Sequence, residues 1–127
     1  MNLTKSSRYA LLAALEMAEA GERPVTAADV ARRHGAPEAV VAKVLQRLVR
    51  AGLAVGTRGS NGGYRLARSP SSVTVLDVLR VFEPELADGD PEEPGTPLDR
   101  LMAEVTDGAR YTFASVSLET LSRSPLS

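Results

Sequence analysis

The sequence contains no cysteine. That excludes disulfides, a thiolate metal cage and a cysteine nucleophile, and it fits a reducing cytoplasm. Tryptophan is absent too, and aromatic residues make up only 4% of the chain, so a core must be built from Leu, Val and Ala. The single histidine, His34, stands at the end of an expected helix, where capping is its ordinary role. One imidazole without a thiol cannot assemble a zinc cage. No apolar run approaches the roughly 18–20 residues of a membrane span. The N-terminus superficially imitates a secretory signal, but its apolar run from Tyr9 to Leu15 is stopped by Glu16. Serines, histidine and acids fall into no catalytic arrangement, so no enzyme, no metal and no cofactor are expected.

What is present has the proportions of a soluble globular protein: 127 residues, 43% hydrophobic and 24% charged. The net charge of −1 conceals an asymmetry. Residues 1–70 hold eleven Lys/Arg against five acids, or +6, whereas residues 71–127 hold four against eleven, or −7. A basic half points to a polyanion partner, with solvated surface charge as the plain alternative.

Helix signals recur along the chain. Thr4 opens a first helix over about 5–20, with Tyr9, Leu12 and Leu15 near helical spacing and Gly21 as its stop. Thr26-Ala-Ala-Asp29 has the form of a capping box and starts a short helix ending before Gly35. Pro37 suits the first turn of a third helix running to about Ala51, with Val41, Val44, Leu45 and Leu48 as its apolar stripe and Gly52 behind it. Leu53–Thr57 and Tyr64–Ala67 alternate like strands around Arg58-Gly-Ser-Asn-Gly-Gly63, where Asn61-Gly62 signals a turn with positive φ at both residues. Thr74-Val-Leu-Asp77 opens a fourth helix. Residues 83–96 are rich in acids and proline and read as a solvated, flexible loop. Thr96-Pro-Leu-Asp99 then starts a long helix over about 97–113, whose stripe is Leu98, Leu101, Met102, Val105 and Ala109.

Two short helices joined by a tight turn, followed by a glycine-rich hairpin, give the order of a winged helix-turn-helix. The expected fold is mostly α with a small β-hairpin wing (α+β): a DNA-binding unit over 1–82, the acidic loop over 83–96, and a dimerisation helix with a C-terminal segment over 97–127. The third helix turns Ala39, Ala42, Lys43, Gln46 and Arg50 away from its stripe. Lys can contact guanine or phosphate there, and Gln can pair with adenine. Arg58, among glycines, can reach a minor groove. The Gly-Ser-Asn-Gly-Gly run lacks the Gly-Lys-Ser/Thr ending of a nucleotide-binding loop. A winged-helix module that docks proteins through its acidic half stands as the alternative to a DNA-binding regulator.

Several stretches together resemble the Rrf2 family of bacterial winged-helix regulators. They are Leu3-Thr4-Lys5, Arg8-Tyr9-Ala10, His34-Gly35, Leu45–Leu53, the wing Arg58–Ala67, Thr74–Leu79 and Val116–Leu121. The resemblance implies a homodimer paired through the long helix and bound to a pseudo-palindromic operator; a cytoplasmic repressor is the expectation, with activation left open. The resemblance enlarges the candidate DNA-binding set to Lys5, Arg8, Thr26, Ala39, Lys43, Gln46, Arg47, Arg50, Arg58, Gly59, Asn61, Gly62 and Tyr64. The implied dimer interface is Leu98, Leu101, Met102, Val105 and Ala109. Well-studied members hold an iron–sulfur cluster on three cysteines before the long helix, where this chain has none. Cluster sensing is therefore not carried over, which leaves room for a small-molecule effector. The residues at Ala39, Ala42 and Lys43 also differ from some members, so no operator sequence follows.

Overall fold

The structure, a computed structural model, describes residues 2–87 and 95–123. Helix α1 (Lys5–Ala20) is the central element and packs against α3, α4, α6 and the wing. Thr4 caps it by accepting the Ser7 N–H, and Gly21 ends it at φ 61°. Its buried face is not centred on Tyr9, Leu12 and Leu15, as periodicity suggested, but on Ala10, Ala13, Ala14 and Met17. Small side chains on the inward face let neighbouring helices approach closely on several sides, while Tyr9, Leu11 and Leu15 fill the margins.

Helix α2 (Ala27–His34) and helix α3 (Glu38–Arg50) are joined by Gly35-Ala36-Pro37, with Gly35 left-handed at φ 62° and its N–H returned to the Ala31 carbonyl. Only half of the expected capping box forms at α2. Thr26 accepts the Asp29 N–H, but the Asp29 carboxylate accepts from Arg32 at 2.8 Å and not from the backbone N–H of Thr26. Pro37 sits one residue earlier than expected, at the N-cap, and its carbonyl accepts from Val40 and Val41. Val41, Val44, Leu45 and Leu48 are all buried, each stabilising the body by about 1.5–3 kcal/mol. His34 caps nothing: its Nε2 lies 2.9 Å from Glu16 of α1, tying the two helices together.

Strands β1 (Ala54–Thr57) and β2 (Gly63–Leu66) pair antiparallel, from Ala54 opposite Leu66 to Thr57 opposite Gly63. That register leaves a five-residue loop, Arg58 to Gly62, rather than a two-residue turn. The expected positive φ at Asn61 and Gly62 is not found; the chain bends instead at Gly59 (φ 114°) and Gly63 (φ 152°). The wing is fastened to the body by a pair of 2.8 Å backbone bonds between Tyr64 and Val25, just before α2.

Helix α4 (Val75–Leu79) starts with a complete capping box between Thr74 and Asp77, and α5 (Pro97–Ala114) with another between Thr96 and Asp99. The stretch 83–96 does not begin as a solvated loop. Pro84–Leu86 forms a 3-10 turn with Leu86 fully buried, and Glu83 is only 3% exposed. Residues 88–94 lie outside the described residues. After α5 the chain returns to the body: the N–H of Val75 bonds the Val116 carbonyl and the N–H of Leu118 bonds the Val73 carbonyl. Helix α6 (Leu118–Ser122) thus places Leu118 in the same core as α1 and α3. The C-terminal segment is part of the N-terminal body rather than an appendage of α5. Among the described residues, no helix is long and apolar enough to cross a membrane.

Candidate nucleic-acid interface

Helix α3, the start of α2 and the wing enclose an open cleft of about 720 Å³. It is lined by Thr26 and Ala27, by Gln46, Val49 and Arg50, and by wing residues Gly56–Gly59 and Gly62–Tyr64. Seven of the residues expected to meet DNA come together here: Thr26, Gln46, Arg50, Arg58, Gly59, Gly62 and Tyr64. The helical rise explains the meeting. Gln46 and Arg50 are one turn apart on α3, on the face away from Val41 and Leu45. The hairpin register sets Gly56 opposite Tyr64, whose ring lies 3.5 Å from where a Cβ on Gly56 would stand, an ordinary contact distance.

Two glycines are demanded by closeness. A Cβ on Gly62 would lie 2.3 Å from the Thr57 carbonyl oxygen, so the loop closes only without one. A Cβ on Gly63 would lie 2.9 Å from the Val25 carbonyl, where the wing meets the body. The glycine-rich wing is therefore compact, and it carries Arg58 exposed at its edge.

Ala39 and Lys43 are exposed further toward the N-terminus of α3, and Asn61 is exposed in the loop; none of them lines the cleft. Lys5 and Arg8 are exposed on the first turns of α1, also outside it. Lys43, Arg50 and Arg58 make no ion pair among the described residues, whereas Arg32 pairs with Asp29 and Arg33 with Glu16. Acids thus neutralise cations of α2 and leave those of α3 and the wing available to a polyanion.

Arg47 does not join the group. It lies on the opposite flank of α3, where its Nη2 donates to the Val81 carbonyl at 2.5 Å and its guanidinium stacks 4.3 Å from the centre of the Phe82 ring. Sequence reasoning saw a basic residue on the recognition helix and had no means of seeing this long-range partner. It also missed Val49 and Thr57 in the cleft wall; strand β1 is exposed from Val55 to Thr57 instead of alternating as its sequence suggests.

The chain is similar, over most of its length, to known proteins. The profile of one family, Rrf2, described as an iron-dependent transcriptional regulator, matches residues 3–124. A Rhodopseudomonas palustris protein provisionally named as the HTH-type transcriptional regulator BadM is 37% identical over 126 residues, covering 95% of this chain and 81% of that protein. The HTH-type transcriptional regulator CymR of Bacillus subtilis is 29% identical over 123 residues, covering 95% and 89%. The solved structure of CymR, described as the global cysteine regulator of B. subtilis, superposes with a TM-score of 0.81 at 28% identity, over 96% of each chain. That of IscR from T. potens gives 0.80 at 27% identity, over 95% of this chain and 85% of the other.

The iron in the family description does not fit the donor set of this chain. Iron–sulfur clusters are held by thiolates, with histidine at most replacing some of them, and the sequence has no cysteine and one histidine. That histidine is engaged with Glu16, and among the described residues no three His, Cys, Asp or Glu side chains converge as metal ligands.

Proposed function

The chain belongs to the Rrf2 family of transcriptional regulators, and from that premise we propose that it represses transcription as a cytoplasmic homodimer on a pseudo-palindromic duplex. The observation that carries the reading is the cleft, which sets Gln46 and Arg50 of α3 beside Arg58 of the wing. In the proposed complex α3 enters the major groove with Ala39, Lys43 and Gln46 toward base edges. Arg58 reaches the adjacent minor groove or its phosphates, and Thr26, Gly59, Asn61, Gly62 and Tyr64 approach the backbone. Lys5 and Arg8 add positive charge at the margin.

Dimerisation is supported by α5. Leu98 is 65% exposed, and Leu101, Met102 and Val105 are 53–55% exposed. Four large apolar side chains on one bare stripe gain most by pairing with a second copy. Ala109 is the inner end of the expected stripe and packs instead within its own chain, beside Phe113. Without a thiolate-held cluster, the signal acts by another route: a small-molecule effector, a partner protein or the abundance of the protein itself.

Selection from a random duplex library tests the reading. Two-fold symmetric half-sites about 34–36 Å apart are expected. A Leu101→Asp, Val105→Asp variant should sediment as a folded monomer and lose the selected site. Enrichment of single half-sites, or a dimer that survives both aspartates, counts against the homodimer; failure to enrich any sequence counts against operator binding. Deleting the gene should raise expression from the selected promoter, and a fall instead would identify an activator.

A further inference from the structure

The short segment that follows α4 is gripped from three sides. From α3, Arg47 donates to the Val81 carbonyl and lies over the Phe82 ring. From the start of α1, the Thr4 N–H at 3.0 Å, the Thr4 hydroxyl at 2.9 Å and the Ser7 hydroxyl all donate to one oxygen of Glu83. From α5, Arg110 reaches the carbonyls of Glu85, Leu86 and Ala87 at 3.3–3.4 Å, while Asp107 at 3.5 Å steadies its guanidinium. Leu86 beneath it is fully buried with Val75 and Leu79. Residues 81–87 are thus the one described connection in which a side chain of the recognition helix and a side chain of α5 hold the same few residues of backbone.

We propose that Arg47 and Arg110 are positioning residues, and that the strap 81–87 between them transmits the seating of α5 to the recognition helix. Arg47 acts on DNA affinity through the placement of α3, without contacting DNA. One flank of α3 faces the wing through Gln46, Val49 and Arg50, and the other is fixed by Arg47. Letting go of that flank frees the helix to roll within the cleft, which misplaces the base-reading side chains while leaving the wing in position. Guanidinium planarity matters here, because one plane serves both the carbonyl and the ring; an ammonium cannot replace it. The opposite end works in the same manner. A shift of α5 pulls on the carbonyls of 85–87, and the pull arrives at Val81 and Phe82.

The inference rests on DNA binding by this chain, and the salt dependence of affinity separates it from a simple phosphate contact. The probe is a duplex enriched from a random library by the unmodified protein; if none is enriched, the DNA-binding reading fails before this one is reached. Arg47→Ala, Arg47→Lys and Phe82→Leu should each weaken binding roughly tenfold, within the usual range of coupling between sites. The slope of affinity against salt should stay unchanged. A phosphate-contacting arginine would instead lower that slope by about one when removed. The double variant Arg47→Ala, Phe82→Leu should be no weaker than Arg47→Ala alone, since both act through one contact. Arg110→Met should weaken binding similarly at protein concentrations where sedimentation shows an unchanged assembly. Phe82→Leu and Arg47→Lys conserve volume or charge, so they report even if the alanine variant fails to fold. A reduced salt slope for Arg47→Ala, full activity of Arg47→Lys, or unchanged affinity of Arg110→Met overturns the proposal.

Discussion

Glu83 shows how far one side chain can depart from its neighbourhood in the sequence. It belongs to a run of acids and prolines that composition assigns to solvent, yet it is buried and receives three hydrogen bonds at the start of α1. Burial pushes its pKa up, but the Ser7 hydroxyl and the N–H and hydroxyl of Thr4 outweigh this and hold it below the ordinary glutamate value. A carboxylate with a depressed folded pKa contributes stability that is complete above its unfolded value of about 4.3 and is lost as pH falls through the folded one. Glu83→Gln should therefore cost about 2 kcal/mol near pH 7, the worth of charge-assisted bonds, and should flatten the acid limb of the stability curve. Urea titrations from pH 7 down to pH 3 measure both; parallel curves for the two proteins would mean that Glu83 is not the ionised partner. Neither Glu83 nor Arg47 was legible in the sequence. Their partners lie 34 to 79 positions away, and no local pattern encodes such a pairing.

Elements were far more legible than their contacts, because their ends are written locally. Thr4, Thr26, Thr74 and Thr96 each cap a helix through a residue three places on, and all four starts were readable from residue type and spacing. The wing was readable as a hairpin but not in its turn. Asn61-Gly62 carries the residues of a tight turn, whereas the pairing of Thr57 with Gly63 sets a longer loop and moves the bends to the flanking glycines. Gly62 then matters for space rather than for φ. Gly62→Ala should push the loop off the Thr57 carbonyl and displace Arg58, at a cost of about 1–3 kcal/mol for an overpacked site. Binding to many duplex sequences should weaken together with little change in the α-helical signal of circular dichroism. An alanine variant with the parent affinity would show that the wing does not hold Arg58 against DNA.

At the scale of the whole molecule, charge and packing divide the chain differently. Charge splits it near residue 70, a basic half before an acidic one. Packing joins the ends: Leu118, from the acidic half, is fully buried in the core built by α1 and α3. Sequence pattern separated a DNA-binding unit from a dimerisation unit because α5 is long and its stripe is bare, and the return of the chain at Val116 left no periodic trace. Leu118→Ala should accordingly cost about 2–5 kcal/mol and lower the melting temperature of the DNA-binding body itself. A melting temperature within a degree of the parent would make α6 an accessory. The bonds between Val73, Val75, Val116 and Leu118 also carry a genetic consequence. In many regulators, a stop codon between the DNA-reading and pairing regions leaves a fragment that still occupies operators and poisons the normal copy. Here a stop anywhere within α5 deletes a residue of the very core that shapes the reading head. Such alleles are expected to be recessive, complemented fully by one intact gene, and their products to be cleared by proteolysis rather than to compete.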